Sequence, residues 1–152
     1  KAQNEARKAV LPIASDFEEI EIEGLGEGDY KIVQSVYAGK EKGDTVGYCV
    51  GVSPMGFGGP IDMIVGVDSE GKITGITIVN SQETPGLGSK ATEPQFKDQY
   101  KDKRIDSPLS VIKSGTPAEN EIVAISGATI TSDAITQGVN SAVEIIREKI
   151  NQ

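Results

Sequence analysis

The sequence contains no histidine and a single cysteine, Cys49. Without histidine, Ser/His/Asp and Cys/His triads, histidine zinc sites and imidazole acid–base chemistry are excluded. One cysteine permits neither an internal disulfide nor a cysteine-ligated iron–sulfur cluster, so no metal centre is expected. Cys49 lies within the apolar run Thr45–Val52 and reads as a small buried hydrophobe. No stretch approaches the roughly 20 apolar residues of a membrane-spanning helix. The chain begins at Lys1 without an initiator methionine, which suits a piece whose preceding residues carry an anchoring segment. Positive charge is scarce, with 15 basic against 23 acidic side chains and a net charge of −8. The lysines are scattered and only Lys101–Arg104 approaches a cluster, so nucleic acid is not an expected partner.

What is present suits one mixed domain. The 152 residues are 37% hydrophobic, enough for a core, and 18 glycines and 7 prolines punctuate the chain at the intervals of short strands. Asn4–Leu11 has helical composition, and the acidic segment Asp16–Glu23 leads as a loop into Gly24–Gly28. Strand-like runs follow at Tyr30–Tyr37, Val46–Val52, Ile61–Val67 and Ile73–Val79, and their short connections predict antiparallel neighbours. In the last run Ile76 and Ile78 share one face while Gly75 and Thr77 share the other. Thr92–Tyr100 has polar helical composition, and Leu109–Ile112 and Ile122–Ile125 read as two further short strands. Ile135, Val139, Ala142, Val143, Ile146 and Ile150 form the apolar stripe of a final helix, with Gln137, Asn140, Glu144, Arg147 and Glu148 on other faces. Ser132 and Asp133 are candidate side-chain acceptors near its start. The expected fold is α+β, a largely antiparallel sheet with flanking helices and the C-terminal amphipathic helix packed on it.

Three segments can carry chemistry. Ser126-Gly-Ala-Thr-Ile-Thr-Ser132 joins a short strand to the final helix, where open backbone N–H groups and the helix dipole stabilise a phosphate. The same residues also make a hydroxyl-rich cap and tight turn. Glu83-Thr-Pro-Gly-Leu-Gly88 follows a strand and suits either a loop lying along a flat ligand or an ordinary turn. Pro54-Met-Gly-Phe-Gly-Gly-Pro60 reads as a hairpin loop or a ligand lid carrying Met55 and Phe57.

Together, Ser126–Thr129 with Ile130-Thr131-Ser132, Glu83–Gly88 about 40 residues upstream, and Gly56-Phe-Gly-Gly-Pro-Ile61 resemble the FMN-binding domain of RnfG and NqrC, over about residues 28 to 146. These belong to the Rnf electron-transport complex and to the sodium-pumping NADH:quinone reductase. The resemblance implies FMN joined by a phosphoester to Thr129, with Ser126, Gly127, Ala128 and Thr131 around the attachment point. It also implies contacts from Glu83, Thr84, Leu87 and Gly88 to the isoalloxazine ring. Lys113 reads either as a partner of the phosphate or the flavin pyrimidine edge, or as a solvated lysine.

Two positions depart from the family pattern. Val123 stands where the attachment motif usually has aspartate, and Asn80-Ser-Gln82 where related proteins often have a histidine. On this resemblance residues 1–27 are an N-terminal helix and loop following a membrane anchor, and residues 28–152 are the FMN-binding domain. The expected function is electron transfer within a membrane complex of Rnf type, ferredoxin:NAD oxidoreductase, on the extracytoplasmic side. The expected partners are the other proteins of that complex and a flavin transferase, with no substrate turnover by the isolated domain and no catalytic residue. The alternatives are the NqrC component of a sodium-pumping NADH:quinone reductase, a reversible FMN-binding domain, and a cofactor-free interaction module.

Overall fold

The computed structural model describes residues 7–22, 31–54, 61–69, 71–81, 98–100, 109–112, 121–124 and 129–147. Five strands, β1 (Asp16–Ile20), β2 (Val33–Glu41), β3 (Asp44–Val52), β4 (Ile61–Asp68) and β5 (Ile73–Ser81), form one antiparallel sheet in sequence order. The β2–β3 turn is two residues long because Lys42 and Gly43 adopt φ of 53° and 86°, the left-handed pair that matches strand twist in a tight hairpin. A separate parallel pair, β6 (Ser110–Ile112) and β7 (Glu121–Val123), precedes the helix α1 (Thr129–Ile145). The α+β architecture with α1 against the sheet is the one expected.

Strand alternation gives the sheet two different faces. On one, Val36, Val50, Val52, Met63, Val65, Ile73 and Ile76 pack with Ile135, Val139 and Ala142 of α1 and with Ile146 just past its end. Ile78 joins this core, while Gly75 lies on the opposite face beside Val10, as the alternation of β5 predicts. That second face is covered by the segment around the helical turn at 7–10, whose Val10, Leu11 and Ala14 pack on Cys49 and Ile64. Glycines make room for it. A Cβ on Gly39 would stand 2.4 Å from Leu11, one on Gly47 2.8 Å from Leu11, and one on Gly66 2.4 Å from the Val10 carbonyl. The Thr74 hydroxyl donates to that same carbonyl and ties the segment to β5. The Arg7 guanidinium lies 3.6 Å over the Tyr37 ring, and the Cys49 thiol donates to the Arg7 carbonyl at 3.6 Å.

Two sequence expectations need correction. Within the acidic segment read as a loop, Asp16–Ile20 is the edge strand β1, paired in register with β2 from Asp16↔Lys40 to Ile20↔Val36. Its two apolar side chains suffice: Phe17 packs on the Leu11 cluster and Ile20 on the main core, while Glu18 and Glu19 guard an outer edge. Ser132 and Asp133 do not cap α1, because the helix starts at Thr129 and they lie inside it. Asn140, off the apolar stripe as expected, is half-buried and binds the main chain of Leu109.

Candidate functional site

The predicted attachment residue Thr129 is the first residue of α1. Thr131 follows in the same first turn, which contains no acidic residue. The N-terminal end of this 17-residue helix therefore presents the positive end of its dipole, with no carboxylate in its own first turn to oppose an anion. That arrangement fits the phosphate of a flavin nucleotide. Ser132 is fully buried, so its hydroxyl faces the interior rather than a ligand.

Of the other predicted residues, Ser126, Gly127, Ala128, Glu83, Thr84, Leu87, Gly88 and Lys113 lie outside the described residues, as do Met55 and Phe57. Two of the elements that lead to them pack on one turn. β5, which leads to Glu83, packs on a 3₁₀ turn at Asp98–Tyr100, and that turn packs on β7, which leads to Ser126.

Three residues to which sequence reasoning gave no role at the site hold this region together. The Gln99 side chain donates to the Val123 carbonyl at 3.0 Å and accepts from the Val123 N–H at 2.7 Å, completing the outer edge of a three-residue strand. The Tyr100 ring is fully buried and its hydroxyl shares a 2.7 Å hydrogen bond with Thr136 of α1. Burial pushes the Tyr100 hydroxyl well above the usual tyrosine range; the Thr136 bond opposes this and the Asp133 charge adds to it. Asn140, four residues further along α1, holds Leu109 at the mouth of β6. Among the described residues no cluster of acidic, histidine or cysteine side chains could hold a metal ion.

Residues 56–144 match the family described as the FMN-binding domain. The chain belongs to that family. It is 41% identical, over 92% of its length and 72% of the relative's, to the G component of the Na⁺-translocating ferredoxin:NAD⁺ oxidoreductase complex of Acetobacterium woodii. It is 37% identical, over 93% of its length and 70% of the relative's, to the G component of the proton-translocating ferredoxin:NAD⁺ oxidoreductase complex of Clostridium ljungdahlii. The fold is that of Shewanella oneidensis NqrC, with a TM-score of 0.68 at 23% identity, covering 78% of this chain and 59% of that one. The family match begins at Gly56, spans β4 to β7 and ends in α1, so the Ser126–Thr129 run lies within it. Among the described residues no helix is long and apolar enough to cross a membrane.

Proposed function

We propose that this domain carries one FMN esterified through its phosphate to Thr129 and serves as an electron-transfer component of a membrane complex of Rnf type, ferredoxin:NAD⁺ oxidoreductase. The observation that carries the reading is the position of Thr129, first in a long helix with no acidic residue in its first turn, inside a run that matches the FMN-binding domain family. An ester there keeps the phosphate beside the helix N–H groups, so attachment is reinforced electrostatically. In forming it, the Thr129 oxygen bonds to phosphorus of an activated flavin nucleotide. With flavin adenine dinucleotide as donor the diphosphate bond breaks and adenosine monophosphate leaves with the proton. No electrons change hands, and the protein gains one FMN less one water.

Bound FMN accepts two electrons and releases them singly, which joins two-electron donors to one-electron carriers. The protein's own part is to hold and orient the ring and to limit water, with Glu83, Thr84, Leu87 and Gly88 on the ring and Ser126, Gly127, Ala128, Thr131 and Lys113 around the phosphate. Identity of 41% and 37% to the two relatives from ferredoxin:NAD⁺ oxidoreductase complexes favours the Rnf type over the NqrC type of a sodium-pumping NADH:quinone reductase. We place the flavin domain on the extracytoplasmic side of the membrane, loaded by a flavin transferase.

The test is the intact mass of denatured protein from cells that express the transferase. A gain of one FMN less water, lost in Thr129→Ala, supports the ester. Flavin that copurifies but leaves on denaturation supports the reversible binding that Val123 suggests, and a protein that never takes up flavin is an interaction module.

A further inference from the structure

The Asp98–Tyr100 turn is three residues long, yet two adjacent side chains of it grip the two elements on either side of the attachment run. Gln99 spends both ends of its carboxamide on the main chain of Val123, six residues before Thr129. Tyr100 reaches Thr136, seven residues after it. The strand so gripped has a short ladder: among the described residues β7, three residues long, pairs with the equally short β6, and the ladder is continued by one bond, Ala124 N–H to the Ile112 carbonyl at 2.8 Å. Ile122 anchors its middle in the main core, and the Gln99 carboxamide holds its outer edge at Val123. A two-stranded pair of this length is not stable by itself. α1, by contrast, is fixed along its length by the sheet core. The turn therefore helps set where the end of β7, at Val123, stands relative to α1.

We propose that the turn is a positioning bracket for flavin attachment, with Gln99, acting through Val123, and Tyr100, acting through Thr136, holding the end of β7 and the helix that begins at Thr129 in the relative placement the transferase needs. The inference rests on the reading of Thr129 as the attachment residue. Neither residue touches the reacting atoms; both are positioning residues. The grip of Gln99 is on main-chain atoms alone, so it acts whatever side chain stands at position 123. A nucleophile displaced by about an ångström loses rate steeply while binding is little changed.

The experiment uses the chain produced without the transferase, then treated with transferase and flavin adenine dinucleotide and followed by intact mass. Gln99→Met removes both bonds at similar side-chain length, and Tyr100→Phe removes only the bond to Thr136. We expect Gln99→Met to lower kcat for modification about tenfold or more with KM for the protein substrate unchanged. Tyr100→Phe should lower it a few-fold. In the unmodified protein the Val123 amide should exchange with solvent faster in Gln99→Met than in the wild type. Wild-type kcat in Gln99→Met overturns the inference, as does a loss that disappears when the temperature is lowered until the variant is fully folded. If wild type gains no mass under these conditions, the attachment reading itself fails and the bracket's role in attachment falls with it; the wild-type reaction alone separates that case from the others.

Discussion

Asn140 on α1 grips the main chain of Leu109 with both ends of its carboxamide, accepting from the N–H and donating to the carbonyl, each at 2.8 Å. Leu109 is buried, Asn140 is half-buried and the bonds lie immediately before β6, so solvent replaces them only in part when the amide is removed. Asn140→Leu should cost about 2–3 kcal/mol, the penalty of leaving two main-chain groups unpaired in a largely closed site. Urea denaturation checks this, and because the substitution leaves the area exposed on unfolding almost unchanged the loss should appear in the midpoint and not in the slope.

The glycines under the N-terminal segment yield a paired prediction. Gly66 and Gly75 face each other across β4 and β5, yet a Cβ at Gly66 would meet the Val10 carbonyl at 2.4 Å and the Thr74 hydroxyl at 2.7 Å. At Gly75 the nearest atom would be Val10 Cα at an ordinary 3.7 Å. Gly66→Ala must push the segment around residues 7–14 off the sheet and should cost about 1–3 kcal/mol. Gly75→Ala should change stability by less than about 0.5 kcal/mol. Limited proteolysis near Ala14, followed beside thermal melting, distinguishes displacement of the segment from a general loss of stability.

The pattern of strands β2 to β5 and of α1 was legible because period-two and period-3.6 apolar spacing report burial directly. β1 was not: three of its five residues are acidic, and it is a strand because β2 presents an edge at that register and Phe17 and Ile20 each reach a core. At the candidate site, the Ser-Gly-Ala-Thr run and the helix behind it were readable as sequence. The roles of Gln99, Tyr100 and Asn140 were not. Each acts on a residue 24 to 36 positions away, and Gln99 and Asn140 act on main-chain atoms, which leave no signature in the identity of the partner.

Cys49 makes stability depend on alkaline pH. Burial pushes its thiol from 9.0 up to about 12, against a smaller opposing effect of the Arg7 charge. The folded chain then holds a proton that the unfolded chain releases. The contribution is fully present below pH 9 and is lost as pH rises through 12, at up to about 1.4 kcal/mol per pH unit. In Cys49→Ala that part of the slope should vanish. Stability of the two proteins by denaturant titration, compared at pH 8 and again at about pH 10.5, checks the sign: the wild type must lose more than the variant over the interval. For the same reason the native thiol should resist alkylation at neutral pH.

The three hydroxyl residues at the start of α1 are not equivalent acceptors for a flavin phosphate. Ser132 is fully buried and its hydroxyl is engaged, so an ester there would require part of the helix to leave the core. Thr129 and Thr131 share the first turn, but only Thr129 stands at its opening, where the phosphate can meet several free N–H groups at once. Ser132→Ala should therefore keep the full mass gain while lowering stability by about 1 kcal/mol or more. Thr131→Ala should keep the mass gain with little change in stability, and Thr129→Ala should lose it. Intact mass and melting temperature measured on the same three samples test all of this together. A mass gain that survives in Thr129→Ala but is absent from the Thr129→Ala/Thr131→Ala double variant would move the ester by two residues, a shift of over half a helical turn around the axis.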